Sequence, residues 1–517
     1  MPLALEKRDT AQPWAGEPYR PQYHFSPAAN WMNDPNGMVY YAGEYHLFYQ
    51  HHPGSLVWGP MHWGHAVSRD LVNWQPLPIA LYPDDMGQIF SGSAVIDWHN
   101  TAGFGKEAMI AIFTHHVHHN ERQSLAYSTD RGRTWTKYAG NPILRPPPNT
   151  PHFRDPKVFW YDAGAAGYWV MCLAAGDAIR FYTSPNLKDW KPSGRFGSGY
   201  TPTDGVWETP DLFKLTVNEG LESRWVLTVG IVDGGPAGGS ATQYFVGHFN
   251  GATFTSENPP GTQLWADYGA DYYAPQSWNG EPQGRRLALG WMSNWQYATL
   301  TPAASSRGMF SLPRQLALTE TKDGPRLVQR PAAELNTLRG EHRHWRSESI
   351  HPGTNLLGDI EHETVEIFAI FELNARANRF GFRARVRGGE YTTIEYDTIH
   401  RKLNFDRTHS GRSDFKEGFA ARHAADLIAT DDLLRLHIFV DRASVEVFAD
   451  AGRLVFTECI FPGATSRGLE LFAEGGDVNL VTLDIYHLDP ARFATLENGP
   501  SSADGRVYSS TWIILSS

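Results

Sequence analysis

The sequence predicts an all-β chain, a five-bladed β-propeller followed by a C-terminal β-sandwich, and three observations carry that prediction. Short alternating apolar runs are punctuated by turn residues throughout, with 49 Gly and 34 Pro in 517 residues, and no stretch shows the 3.6-residue stripe of an amphipathic helix. A motif recurs as Ser68-Arg-Asp-Leu-Val-Asn-Trp74, Ser128-Thr-Asp-Arg-Gly-Arg-Thr-Trp135 and Ser184-Pro-Asn-Leu-Lys-Asp-Trp190, at spacings of 60 and 56 residues. Past about residue 340 the text changes again, to longer and more regular alternation.

Each repeat follows an apolar strand such as Ile179-Arg-Phe-Tyr-Thr183. Its Ser and its Asp or Asn can bond the backbone of a tight turn while the Trp packs between layers, so each copy reads as a hairpin within a four-stranded unit. Units of this length stack as propeller blades, and the first ~330 residues accommodate five of them. The polar, charged stretch Leu335 to Ser349 reads as a linker. Beyond it, Thr364–Leu373, Phe380–Val386, Leu434–Val440 and Ser444–Phe448 alternate as strands of a two-sheet sandwich. The expected division is a catalytic propeller at 1–340, a sandwich at 341–495 and a tail at 496–517.

The balance of 45 Lys and Arg against 56 Asp and Glu, a net charge of −11, offers no long-range attraction to nucleic acid or to an anionic membrane surface. A small or neutral partner is expected instead. Two cysteines, Cys172 and Cys459, exclude a disulfide scaffold and a thiolate zinc site, and leave open one long-range bridge. The first thirty residues lack an apolar leader core, and no N-x-[ST] sequon occurs. These features predict a cytoplasmic protein, with a secreted chain as the alternative.

Three acids stand in dense polar and aromatic contexts: Asp34 in Trp31-Met-Asn-Asp-Pro-Asn-Gly37, Asp155 in Phe153-Arg-Asp-Pro156, and Glu208 in Trp207-Glu-Thr-Pro-Asp-Leu-Phe213. Their separations, 121 and 53 residues, are close to two blade periods and one. A propeller would therefore bring them to its axis from the first, third and fourth blades. A single Asp-Pro pair is more often a turn element, but convergent carboxylates suit glycosidic cleavage, in which one acid protonates the leaving oxygen and another attacks or activates water.

These motifs, with Phe90-Ser-Gly-Ser93, Tyr45-His-Leu-Phe-Tyr-Gln50, Trp58-Gly-Pro-Met-His-Trp-Gly64, Gly290-Trp-Met-Ser-Asn-Trp-Gln296 and Val440-Asp-Arg-Ala-Ser-Val-Glu-Val-Phe448, resemble in content and order those of glycoside hydrolase family 32, the family of invertases, inulinases and levanases. The resemblance spans both expected domains and is greatest to exo-acting members. It implies a retaining exo-β-fructofuranosidase that releases fructose from fructans (levan, inulin) and from sucrose. Asp34 would be the nucleophile, Glu208 the general acid/base and Asp155 the transition-state stabiliser, with the two reacting carboxyls about 5–5.5 Å apart. Arg154, Asn33, Gln50, Trp58, Phe90, Ser91 and Trp295 would line the fructose subsite. Hydrogen bonds from the backbone and Asn33 are expected to keep Asp34 ionised. No cofactor or metal is required. The alternatives are a fructosyltransferase and a non-catalytic fructan-binding protein, and the sandwich is expected to be structural or to serve dimerisation.

One position departs from the family: Thr209 follows the acid/base where Cys is common, and its hydroxyl is a stronger donor than a thiol, which bears on the pH optimum. The run His115-His-Val-His-His119 reads as a solvated hairpin before it reads as a metal site.

Overall fold

The structure, a computed structural model, describes residues 16–118, 120–164, 166–197, 199–200, 205–373, 376–429 and 431–493. The expected tail, 496–517, lies outside them. Five sheets come first, each a blade built on four antiparallel strands, and a six-stranded and a five-stranded sheet follow. The first strands of the blades are Asn30–Tyr41, Gln88–Asp97, Phe153–Asp162, Trp207–Thr216 and Tyr273–Ser277. They touch one another in succession and close a ring around the axis. The ring is fastened where Ser306–Arg307, from the fifth blade's excursion, pairs in parallel with Asn30 and Trp31 of the first.

Apolar clusters fill the seams between neighbouring blades. Trp31, Trp74, Tyr273, Trp278 and Trp291 pack the first blade against the fifth, while Val170, Phe181, Trp207 and Phe245 pack the third against the fourth. Burying such side chains contributes roughly 1.5–3 kcal/mol each, so the seams hold the ring shut.

The recurring Ser/Asp/Trp motif joins the third and outermost strands of the first three blades. In each copy the indole N–H donates three residues back, from Trp74 to Leu71, Trp135 to Gly132 and Trp190 to Leu187, at 3.0–3.1 Å. Ser68, Ser128 and Ser184 bond Asp70, Asp130 and Asn186 within the same turns. The fourth blade turns on Asn250 alone, which accepts from the N–H groups of Ala252 and Thr253.

The sandwich has a six-stranded and a five-stranded sheet around a core that includes Ile367, Phe371, Phe380, Phe382, Leu436, Val447 and Leu471. The stretch expected as a linker is instead a 3₁₀ turn, Ala333–Leu338, and an edge strand, Arg339–Ile350. Its charge suits an edge, where one row of backbone groups faces solvent and charged side chains discourage further pairing. Cys172 and Cys459 are buried free thiols, one inside a blade and one in the sandwich, so the bridge left open by the sequence is not formed.

Sandwich and propeller share apolar and ionic contacts. Tyr23, Leu312 and Leu335 meet Phe439, Phe448 and Val455. His24 lies between Asp441 and Glu446, at 2.8 and 3.0 Å, and Arg314 reaches Glu446 at 2.6 Å and Asp267 at 3.0 Å. Arg407 joins Asp271 and Glu458, each at 2.9 Å.

Candidate active site

All five first strands are interrupted at nearly the same depth, where two of their residues oppose one on the neighbouring strand. The doubled pairs are Asn33-Asp34, Phe90-Ser91, Asp155-Pro156, Thr209-Pro210 and Ala274-Pro275. Such bulges re-aim side chains and tolerate proline, which has no N–H to give the ladder. Asp155, Thr209 and Ala274, each preceding a proline, have φ of 65°, 47° and 51°. A left-handed backbone at three residues other than glycine is strain concentrated at one ring of the molecule.

The ring gathers the acids from the first, third and fourth blades. Asp34 accepts from Ser91 Oγ at 2.8 Å and from Asn33 Nδ2 at 3.1 Å, and Trp31 Nε1 donates to Asn33 Oδ1 at 2.8 Å. Glu208 is held by three donors: Arg154 Nε and Nη2 reach Oε1 at 3.1 and 2.7 Å, and the Tyr273 hydroxyl reaches Oε2 at 2.5 Å. Asp155 accepts the Thr209 N–H at 3.0 Å. Arg154 also donates to Glu121 at 2.9 Å, and Glu121 meets His116 at 3.3 Å.

Burial first, and then the charge of Glu208, push the Asp34 carboxyl up to about 6 despite the bonds from Ser91 and Asn33. Those bonds were expected to keep it low; removal from water outweighs them. Burial also pushes Asp155 well above the usual carboxylate range, Glu208 and Asp34 adding to the rise and Arg154 opposing it. Burial works against the charge of Arg154, yet Glu208, Asp155 and Glu121 outweigh it and hold the guanidinium above its ordinary value.

The lining residues take distinct places. Phe90 stacks on His116 at 4.3 Å, and Trp58, 39 % exposed, meets Phe90 edge-on at the rim. Trp295, half-buried, packs against Trp31 and Trp291. Gln50 lies opposite the first bulge and donates to Asn36 at 2.8 Å. One layer deeper, Lys157 crosses the axis to Asp211 at 3.0 Å and to the Ser277 carbonyl at 2.9 Å. This ion pair is buried, at 3 and 2 % side-chain exposure.

Tyr273 escaped the sequence reading. Its signal was there: Tyr273-Ala-Pro275 repeats, in the fifth blade, the layout of Glu208-Thr-Pro210. Thr209 spends its backbone N–H on Asp155, and its buried hydroxyl has no partner among the described residues, so the hydroxyl that reaches Glu208, beside Arg154, is that of Tyr273. The start of the histidine run is strand and not a solvated hairpin: His115 and His116 lie in Ala108–Val117, where buried His115 turns inward to Ser124 Oγ at 2.8 Å and His116 stacks on Phe90, while His119 lies outside the described residues.

The N-terminal domain model of glycosyl hydrolases family 32 matches residues 24–331, and the C-terminal model matches 334–487. The chain belongs to this family. A levanase of Bacillus subtilis is 51 % identical over 481 residues, covering 91 % of this chain and 71 % of that protein. An extracellular exo-inulinase of Aspergillus niger is 39 % identical over 510 residues, covering 91 % and 95 %. The crystal structure of the Aspergillus awamori exo-inulinase superposes with a TM-score of 0.87 at 38 % identity, over 92 % of this chain and 99 % of that one.

Membership makes the chain a catalytic glycoside hydrolase of propeller-plus-sandwich architecture. It also corrects the cytoplasmic expectation, because family 32 relatives matching 91 % of this chain are named extracellular. The composition of a folded catalytic chain does not encode its compartment, since export is read from a segment separate from the fold.

Proposed function

We propose that this family 32 chain is a retaining exo-β-fructofuranosidase that removes terminal fructose from fructans and from sucrose. The observation that carries the reading is the ring of bulges that gathers Asp34, bonded by Ser91, and Glu208, clamped by Arg154 and Tyr273, from separate blades. Action at a chain end is supported by the exo-inulinase that is 39 % identical over 510 residues.

Asp34 attacks the anomeric C2 as Glu208 protonates the departing oxygen, and Glu208 then takes a proton from the water that opens the fructosyl ester. Two displacements retain the anomeric configuration. Asp155 grips ring hydroxyls of the fructosyl unit, Arg154 fixes the Glu208 carboxyl, and Asn33, Gln50, Ser91, Phe90, Trp58 and Trp295 shape an uncharged subsite. In this reading residues 1–340 are the catalytic unit and 341–495 brace it. A homodimer through the sandwich is tested by sedimentation.

The deciding experiment is product analysis on levan, inulin and sucrose in parallel, with Glu208→Gln as control. Free fructose as the sole early product from the fructans, lost in the control, is expected. Early oligosaccharides from fructan would mean endo cleavage, glucose well in excess of fructose from concentrated sucrose would mean transfer, and no release from any substrate would leave a binding protein.

A further inference from the structure

Away from the axial pocket, metal-ligating side chains cluster on the sandwich. His342 and His344 stand two residues apart on the edge strand Arg339–Ile350, so both project from one face of the sheet. Asp484, on the neighbouring strand Val478–Leu488, lies directly across from His344. His342 Nε2 and His344 Nδ1 approach the same oxygen, Asp484 Oδ1, at 2.8 and 2.7 Å. One ligand atom from each group therefore lies within 4.8 Å of the other two. Flat stacking of His342 on Tyr486, at 4.2 Å and 6°, holds that ring in its orientation.

We propose that His342, His344 and Asp484 form a binding site for a divalent transition metal of the zinc class. An ion with bonds of about 2.1 Å holds tetrahedral ligand atoms about 3.4 Å apart. The two nitrogen-to-oxygen separations, 2.8 and 2.7 Å, are shorter than that, and side chains that are 41, 34 and 22 % exposed have the rotamer freedom to open them. Solvent takes the fourth position. Two imidazoles and one carboxylate favour zinc, copper or nickel over magnesium and calcium, whose shells call for oxygen. The ligands come from strands 140 residues apart in the chain, so a bound ion would tie the edge strand to its neighbour and stabilise the fold by mass action.

The test uses the full chain without an affinity tag, stripped with chelator, titrated with Zn²⁺ and separately with Mg²⁺ by calorimetry and by thermal melting. One zinc per chain is expected, with a rise in Tm that magnesium does not produce. His344→Gln should weaken zinc binding at least tenfold, and His342→Gln with His344→Gln should abolish it, while the zinc-free Tm stays that of the parent. Asp484→Asn provides a second variant should the histidine changes disturb folding, and should also weaken binding. A parent chain that binds no zinc, or a double variant that binds it as tightly as the parent, would overturn the proposal and leave a hydrogen-bonded surface cluster only.

Discussion

A carboxylate that attacks carbon must be charged, yet a pocket that shields a reaction from bulk water is a poor place for charge. Asp34, the nucleophile of the proposed mechanism, sits between these demands, at about 6. Its folded value lies above the ordinary 3.8, so its contribution to stability is complete below about pH 4 and is lost as the pH climbs through about 6. Asp34→Asn should therefore gain on the order of 2–3 kcal/mol over the parent at pH 7.5 and almost nothing at pH 4, measured by denaturant unfolding. The same change should cost at least about a thousandfold in kcat/KM. In the parent, kcat/KM should fall as the pH drops below about 6 and Asp34 takes up its proton, which a pH–rate profile on sucrose checks. Tyr273→Phe removes one of three donors from Glu208 and leaves Arg154 in place. A hydrogen bond to a charged group is worth about 1.5–3 kcal/mol, so kcat/KM should fall roughly 10- to 100-fold with Tm nearly unchanged.

At the scale of the element, the site is one device used five times: a bulge in each first strand, set at one depth around a ring. Asp34-Pro35, Asp155-Pro156 and Glu208-Thr-Pro210 were legible as motifs because proline beside an acid stands out in apolar text. A single Asp-Pro pair reads more often as a turn, whereas these occupy the interior of strands, where a bulge accommodates the missing N–H. The second blade reaches the same geometry without proline, through Phe90-Ser91 ahead of Gly92, and the neighbouring strand passes close there. A Cβ on Gly92 would stand 2.1 Å from the Ile112 carbonyl oxygen and 2.7 Å from Phe113 Cα. Gly92→Ala should thus cost about 1–3 kcal/mol, read by chemical unfolding, and should lower kcat by displacing Ser91 from Asp34.

Across the whole molecule, the sandwich bears on the propeller through buried charge. His24 is pinned between two sandwich carboxylates, which raise its imidazole to about 9 against the cost of burial. That value lies above the ordinary 6.5, so the stability it contributes is complete below about pH 6.5 and is lost as the pH rises through about 9. The Tm of the parent should decline between pH 7 and pH 10 more steeply than that of His24→Gln, whose stability at pH 6.5 should already be lower by on the order of 3 kcal/mol, since it leaves Asp441 and Glu446 with one counter-charge fewer. The sequence motif around Val440–Phe448 is thereby explained: Asp441 and Glu446 brace one domain on the other.

What the sequence determined by itself was local and periodic. Turn chemistry at Ser68, Ser128 and Ser184 marked three blades, alternation marked the sandwich strands, and the spacing of Asp34, Asp155 and Glu208 set them on the first, third and fourth blades. Those signals lie within a few residues of each other or repeat at one period, so no tertiary knowledge is needed to read them. The tertiary structure alone decided what depends on partners remote in the chain. It brought Tyr273 to Glu208, paired buried Lys157 with Asp211, made a charged linker into an edge strand, and lifted Asp34 to about 6. Each of these follows from burial and long-range contact, and the energy of a carboxyl depends on the water it has lost as much as on the residues beside it in the chain.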